Sequence, residues 1–123
     1  MTQKDKSLLL KDLCARLPYG LKVKCEKYSF PVTILYGGNI DEVKFIETGG
    51  IENICAIKPY LFPLSSMTEE QSKVYHELID GMFGTSALIN FEVLTDFFNS
   101  NHLDYRGLIK KGLAIDATGL NIY

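Results

Sequence analysis

Two glycine pairs, Gly37-Gly38 and Gly49-Gly50, stand 12 residues apart and bracket a segment in which Val43 and Phe45 alternate with Glu42 and Lys44. Alternation with a period of two marks a strand with one buried and one wet face, and paired glycines mark the tight turns between such strands. Connections this short cannot carry a parallel crossover, so the strands they join run antiparallel. Just upstream, Leu21, Val23 and Cys25 alternate with Lys22, Lys24 and Glu26. Val32, Ile34 and Tyr36 follow, with Pro31 placed where its missing N–H does least harm. With residues 51–57 as a fourth strand, the pattern predicts a four-stranded antiparallel meander, curled or barrel-like.

Outside that region the period lengthens. In residues 5–17, Leu9, Leu10, Leu13, Cys14 and Leu17 recur at helical spacing, with Lys11, Asp12 and Arg16 on the other side, and Pro18 ends the run before a turn at Tyr19-Gly20. Two overlapping capping boxes, Ser66 with Glu69 and Thr68 with Gln71, announce a second helix. It is expected to run to about Phe83, with Val74, Leu78, Ile79 and Met82 inward and Gly84 as its stop. Asn90 is read as the cap of a third helix carrying Phe91, Leu94, Phe97 and Phe98 on one stripe. Asp104 is read as the cap of a short helical piece ending at Lys111-Gly112, before an irregular or strand-like tail. The predicted fold class is α+β: an N-terminal helix, the meander and C-terminal helices, in one domain over residues 1–123.

Composition excludes several function classes. A net charge of -2 gives no general attraction for a phosphate backbone. The apolar stretches are too short to cross a membrane, and the residues after Met1 lack the apolar core of a secretory signal. Three widely spaced cysteines, Cys14, Cys25 and Cys55, fit free thiols in a reducing compartment, so a cytoplasmic location is expected. Cys25 and Cys55 sit among apolar neighbours and read as core thiols. The cysteines and His76 and His102 show no metal-ligand spacing, and the glycine pairs lack the lysine and helix of a phosphate loop, so neither a metal nor a cofactor is expected.

Three segments resemble a group of small uncharacterised proteins of intestinal anaerobic bacteria and their mobile elements. They are residues 11–20 (KDLCARLPYG), residues 57–70 (IKPYL, then LSSMTEE) and residues 101–114 (NHLDYRGLIKKGLA), together about a third of the chain. That resemblance brings no activity, cofactor or catalytic residue with it. An origin in phage or mobile elements implies an accessory or interaction role.

The densest polar cluster is Asn99, Asn101, His102, Asp104, Tyr105 and Arg106. His102, Asp104, Tyr105 and Arg106 are candidate binding residues, and His102 with Asp104 is a candidate acid–base pair. The competing reading is structural: Asp104 as a cap, Arg106 paired with a carboxylate, Tyr105 packed by its ring. Lys22 and Lys24, with Lys27 and Lys44, form a candidate basic stripe on the wet face of the sheet for nucleic acid, though Glu26, Glu42 and Glu47 share that region. The segment 57–64, with two prolines, is expected to seal the core between sheet and helices. The function expected first is a non-enzymatic module with a protein partner; nucleic-acid binding and a small enzyme are the alternatives.

Overall fold

The computed structural model describes residues 1–36, 42–81 and 87–123. Helix α1 (Gln3–Arg16) starts at Thr2, whose hydroxyl accepts from the Asp5 amide while the Asp5 carboxylate accepts from the Thr2 amide, a closed capping box. Leu9 and Leu13 are buried as expected. The helix is turned differently from its expected face: Cys14 is exposed, whereas Asp12 and Arg16 are fully buried. An i,i+4 ion pair between the two explains how a stripe of charge can face inward.

Among the described residues, six strands form one open sheet: β1 (Lys22–Cys25), β2 (Val32–Tyr36), β3 (Glu42–Phe45), β4 (Ile51–Asn53), β5 (Ile57–Leu61) and β6 (Ile115–Asp116). Their order is β4-β3-β2-β1-β5-β6. Strands β1 to β4 make the expected antiparallel meander, and β5 is antiparallel to β1. The pair β5–β6 is parallel. The expected four-stranded, barrel-like sheet is thus corrected to an open one of six strands. What was read as a single fourth strand is cut by a 3-10 turn at Ile54–Ala56, where the Asn53 side chain accepts from the Cys55 amide. That turn leaves Cys55 exposed, and the chain returns on the far side of β1. Residues 57–61, expected as a connection, therefore form an inner strand. Pro59 is tolerated there because β6 joins β5 only from Tyr60 onward.

The inner face of the sheet supplies Val23, Cys25, Val32, Ile34, Val43, Phe45, Ile57 and Leu61 to the main core. Leu9 and Leu13 of α1 and Leu108, Leu113 and Ala114 of the C-terminal segment pack on it. A second, smaller cluster holds Leu94, Phe98 and Leu103, with Phe62, Met67, Tyr75 and Leu78 around them.

Helices α2 (Glu69–Gly81) and α3 (Ala87–Ser100) build that smaller cluster. Of the two capping boxes only Thr68 with Gln71 forms, its bonds 3.0 and 3.1 Å long. Ser66 instead donates to the Pro63 carbonyl inside a 3-10 turn. Val74 and Phe91, expected inward, are exposed, because the hairpin is covered on one side only. Asn90 lies in the first turn of α3 and is not its cap, since the helix already begins at Ala87. The turn at Gly37-Gly38 and the stop at Met82 to Gly84 lie outside the described residues.

The short helix expected over residues 104–111 is a series of turns. Gly107 takes φ 73, a left-handed conformation that interrupts a helix, and Asp104 caps these turns from the wrong distance for a helix start.

Candidate functional site

Residues 101–106 link α3 to the sheet. After α3 ends, His102 adopts φ 57 and turns the chain back on itself. Phe62 then bonds to the residues on either side of Leu103: the Phe62 amide donates to the His102 carbonyl and the Asp104 amide to the Phe62 carbonyl, both 2.8 Å. This extends β5 by one parallel bridge at Leu103 and fixes where the four candidate side chains can point.

Asp104 is buried, and its two carboxylate oxygens accept from the amides of Leu108 and Ile109 at 2.8 and 2.9 Å. Each oxygen thus accepts one backbone bond, which fixes the carboxylate against the 108–109 turn. Tyr105 stacks on Phe98, ring centres 5.0 Å apart and planes 18° from parallel. Arg106 donates to Asp12 Oδ1 at 2.9 Å and lies over the Tyr105 ring.

Asp12 in turn accepts from Arg16 Nε at 2.9 Å, and Arg16 Nη2 donates to the Leu103 carbonyl at 2.6 Å. One buried carboxylate therefore serves two guanidinium groups and ties α1 to the 103–106 segment. Removing one member of such a buried group typically costs about 3–5 kcal/mol, because the charge left behind has no partner. Sequence reasoning missed Asp12 and Arg16. Their four-residue spacing on a helix was the available signal, and it lost to the assumption that charge faces water.

His102 is half-buried and stacks on Tyr123, ring centres 3.6 Å apart and planes 11° from parallel. Burial first, and then the Arg16 charge, pull its pKa down from 6.5 to about 4. The Tyr123 hydroxyl donates to the Tyr60 carbonyl at 2.8 Å and accepts from the Lys22 amide at 3.0 Å. Burial raises the pKa of that phenol, so it stays protonated and bridges β1 and β5 as a neutral donor. Among the described residues, three buried polar atoms have no hydrogen-bond partner: Arg16 Nη1, Asn99 Oδ1 and His102 Nδ1.

The structure thus brings His102, Asp104, Tyr105 and Arg106 onto one connecting segment and gives each of them a structural contact. Lys22 and Lys24 lie apart from them, on the outer face of β1. Lys22 is half-buried there, opposite Thr33. The carboxylate of Glu47 is pushed up by burial, yet bonds from the Thr33 amide and hydroxyl and the nearby Lys22 charge outweigh this and hold it below its usual value. Lys27 pairs with Glu52 at 3.5 Å. Lys24 faces Lys58 of β5 directly, a neighbour that became predictable only once residues 57–61 were known to be a strand.

Two clefts open elsewhere. One, of about 210 Å³, lies beside Lys24 and Lys58. The other, of about 400 Å³, lies between the start of α2 and the end of α3, beside Gln71, Val74 and Phe97. Neither is lined by His102, Asp104, Tyr105 or Arg106. Among the described residues no three His, Cys, Asp or Glu side chains converge as a metal site would require, and no helix is long and apolar enough to cross a membrane. Comparison of the chain with protein-family models, with curated proteins and with solved structures yields no match.

Proposed function

We propose that this chain is a non-enzymatic interaction module that docks a protein partner on the outer face of its sheet. The observation that carries this is the exposure of three large apolar side chains there: Leu35 at 49%, Ile46 at 57% and Ile51 at 56%. Ile51 of β4 is in register with Lys44 of β3, Leu35 lies in β2, and Ile46, in the turn that follows β3, is tied to β2 by the bond from its amide to the Thr33 carbonyl. Several exposed apolar side chains on adjacent strands are what a docking surface offers, whereas single ones are common anywhere. The short strand β4 lies at the edge of the sheet among the described residues, the position a partner strand would extend.

The polar residues with catalytic potential support the same reading from the other side. Asp104, Arg106 and Tyr105 are occupied in holding the segment that carries them. Nucleic-acid binding through Lys22 and Lys24 has less behind it, because Glu47 and Glu52 offset Lys22 and Lys27. Three free thiols suit a reducing, cytoplasmic setting. The test is a surface variant, Leu35→Ser with Ile46→Thr and Ile51→Thr, used beside the unaltered chain to capture and then titrate a partner. The variant should keep its fold and lose the partner. A reproducible turnover in a metabolite screen, abolished by Asp104→Asn or His102→Asn, would overturn the reading.

A further inference from the structure

Strands β1 and β5 run antiparallel with Lys24 directly opposite Lys58. Side chains so opposed sit about 5 Å apart at Cβ, and like charges at that position repel. Neither ammonium group has an ion pair or hydrogen bond among the described residues. Since Lys22 is offset by Glu47 and Lys27 by Glu52, the unmatched positive charge of this region is concentrated at one place. At that place the surface is concave. The cleft of about 210 Å³ is lined by Lys24, Lys58, Glu26, Cys55, Ala56 and Ile115.

At about 30 Å³ per water the space holds about seven water-sized groups. Two ammonium groups and the Glu26 carboxylate leave a local charge of one positive unit, which one negative charge balances. Ala56 and Ile115 add apolar surface beside it. We propose that this cleft binds a small organic monocarboxylate, its oxygens held between Lys24 and Lys58 and its hydrocarbon part resting on Ala56 and Ile115. An extended polyanion is disfavoured, because Glu26 lines the cleft and Glu47 and Glu52 flank the neighbouring lysines. The inference is independent of the docking surface on β2 to β4.

Cys55 supplies the readout. It is exposed within the cleft, Cys14 is exposed on α1, and Cys25 is buried. Alkylation of the full chain by neutral iodoacetamide is followed at Cys55 and Cys14 together, in butyrate, inorganic phosphate or chloride at equal ionic strength. Butyrate should slow Cys55 severalfold and leave Cys14 unchanged. Lys24→Ala and Lys58→Ala should each weaken that protection about tenfold, as loss of a charge-assisted bond does. Glu26→Gln should strengthen it. Protection by phosphate and not by butyrate overturns the carboxylate assignment. No selective slowing of Cys55 by either anion at about 100 mM, well above any useful affinity, overturns the site itself.

Discussion

His102 shows how one residue in a strained place makes a fold sensitive to pH. Its left-handed φ of 57, its stack on Tyr123 and its unpartnered buried Nδ1 all belong to the neutral ring. In the unfolded chain the imidazole keeps a pKa near 6.5, while burial and then Arg16 hold it at about 4 in the folded state. Between pH 6.5 and about 4 the unfolded chain binds a proton that the folded one refuses. Stability is therefore full above 6.5 and is lost as pH falls through about 4. Asp5, Glu47 and Asp116 also have lowered values, but from ordinary ones of 3.8 to 4.5, so they act mainly in more acid solution. Asparagine tolerates the left-handed region and does not titrate. The urea midpoint should thus fall from pH 6.5 to 4 in the unaltered chain and stay flatter in His102→Asn. Parallel profiles for the two would remove the argument.

Among the elements, the β3–β4 hairpin depends on a close approach at Gly50. A Cβ there would lie 2.7 Å from the Tyr28 hydroxyl and 3.2 Å from Thr48 Oγ1, and Thr48 already accepts from the Gly50 amide. Tyr28 cannot retreat freely, because its ring packs edge-on against the buried Phe45 at 6.0 Å. Gly50→Ala should lower stability by about 1–3 kcal/mol, the usual cost of overpacking. Adding Tyr28→Phe should return part of it, since the clashing oxygen is gone. Thermal denaturation of the three chains checks this, and a neutral Gly50→Ala would show that the hairpin yields. Elements with a strict local period were legible in the sequence: β1, β2, β3, the start of α2 and the paired apolar residues Leu94 and Phe98 of α3. Strand β5 was not, because two prolines hide it and its partner β1 lies more than thirty residues away in sequence. The candidate site was half legible. Asp104, Tyr105 and Arg106 were found, but their roles depend on Asp12 and Arg16, which only the tertiary fold turns inward.

Across the whole molecule, the two apolar clusters differ in depth, and that difference sets where the chain opens first. Among the residues whose burial is described, the sheet cluster holds fifteen buried residues and the helical one three, Leu94, Phe98 and Leu103. Helix α2 contributes no fully buried side chain among its described residues, so its Thr68 cap and its contacts with α3 carry most of its stability. The 101–106 segment joins the two parts, held on the sheet side by the Asp12, Arg16 and Arg106 group and by Asp104. These contacts remain if the hairpin opens, whereas among the described residues the contacts of α2 are chiefly with α3 and not with the strands. Native-state hydrogen exchange in rising denaturant should therefore find α2 amides exchanging through an opening of smaller free energy than those of β1, β2 and β5. Arg16→Met, which releases Leu103, should lower the opening free energy of the 101–106 segment and leave that of α2 nearly unchanged, because the Arg16 contacts are kept when the hairpin opens. If α2 and the central strands instead exchange through one common opening at every denaturant concentration, the two clusters form a single cooperative unit and the hierarchy fails.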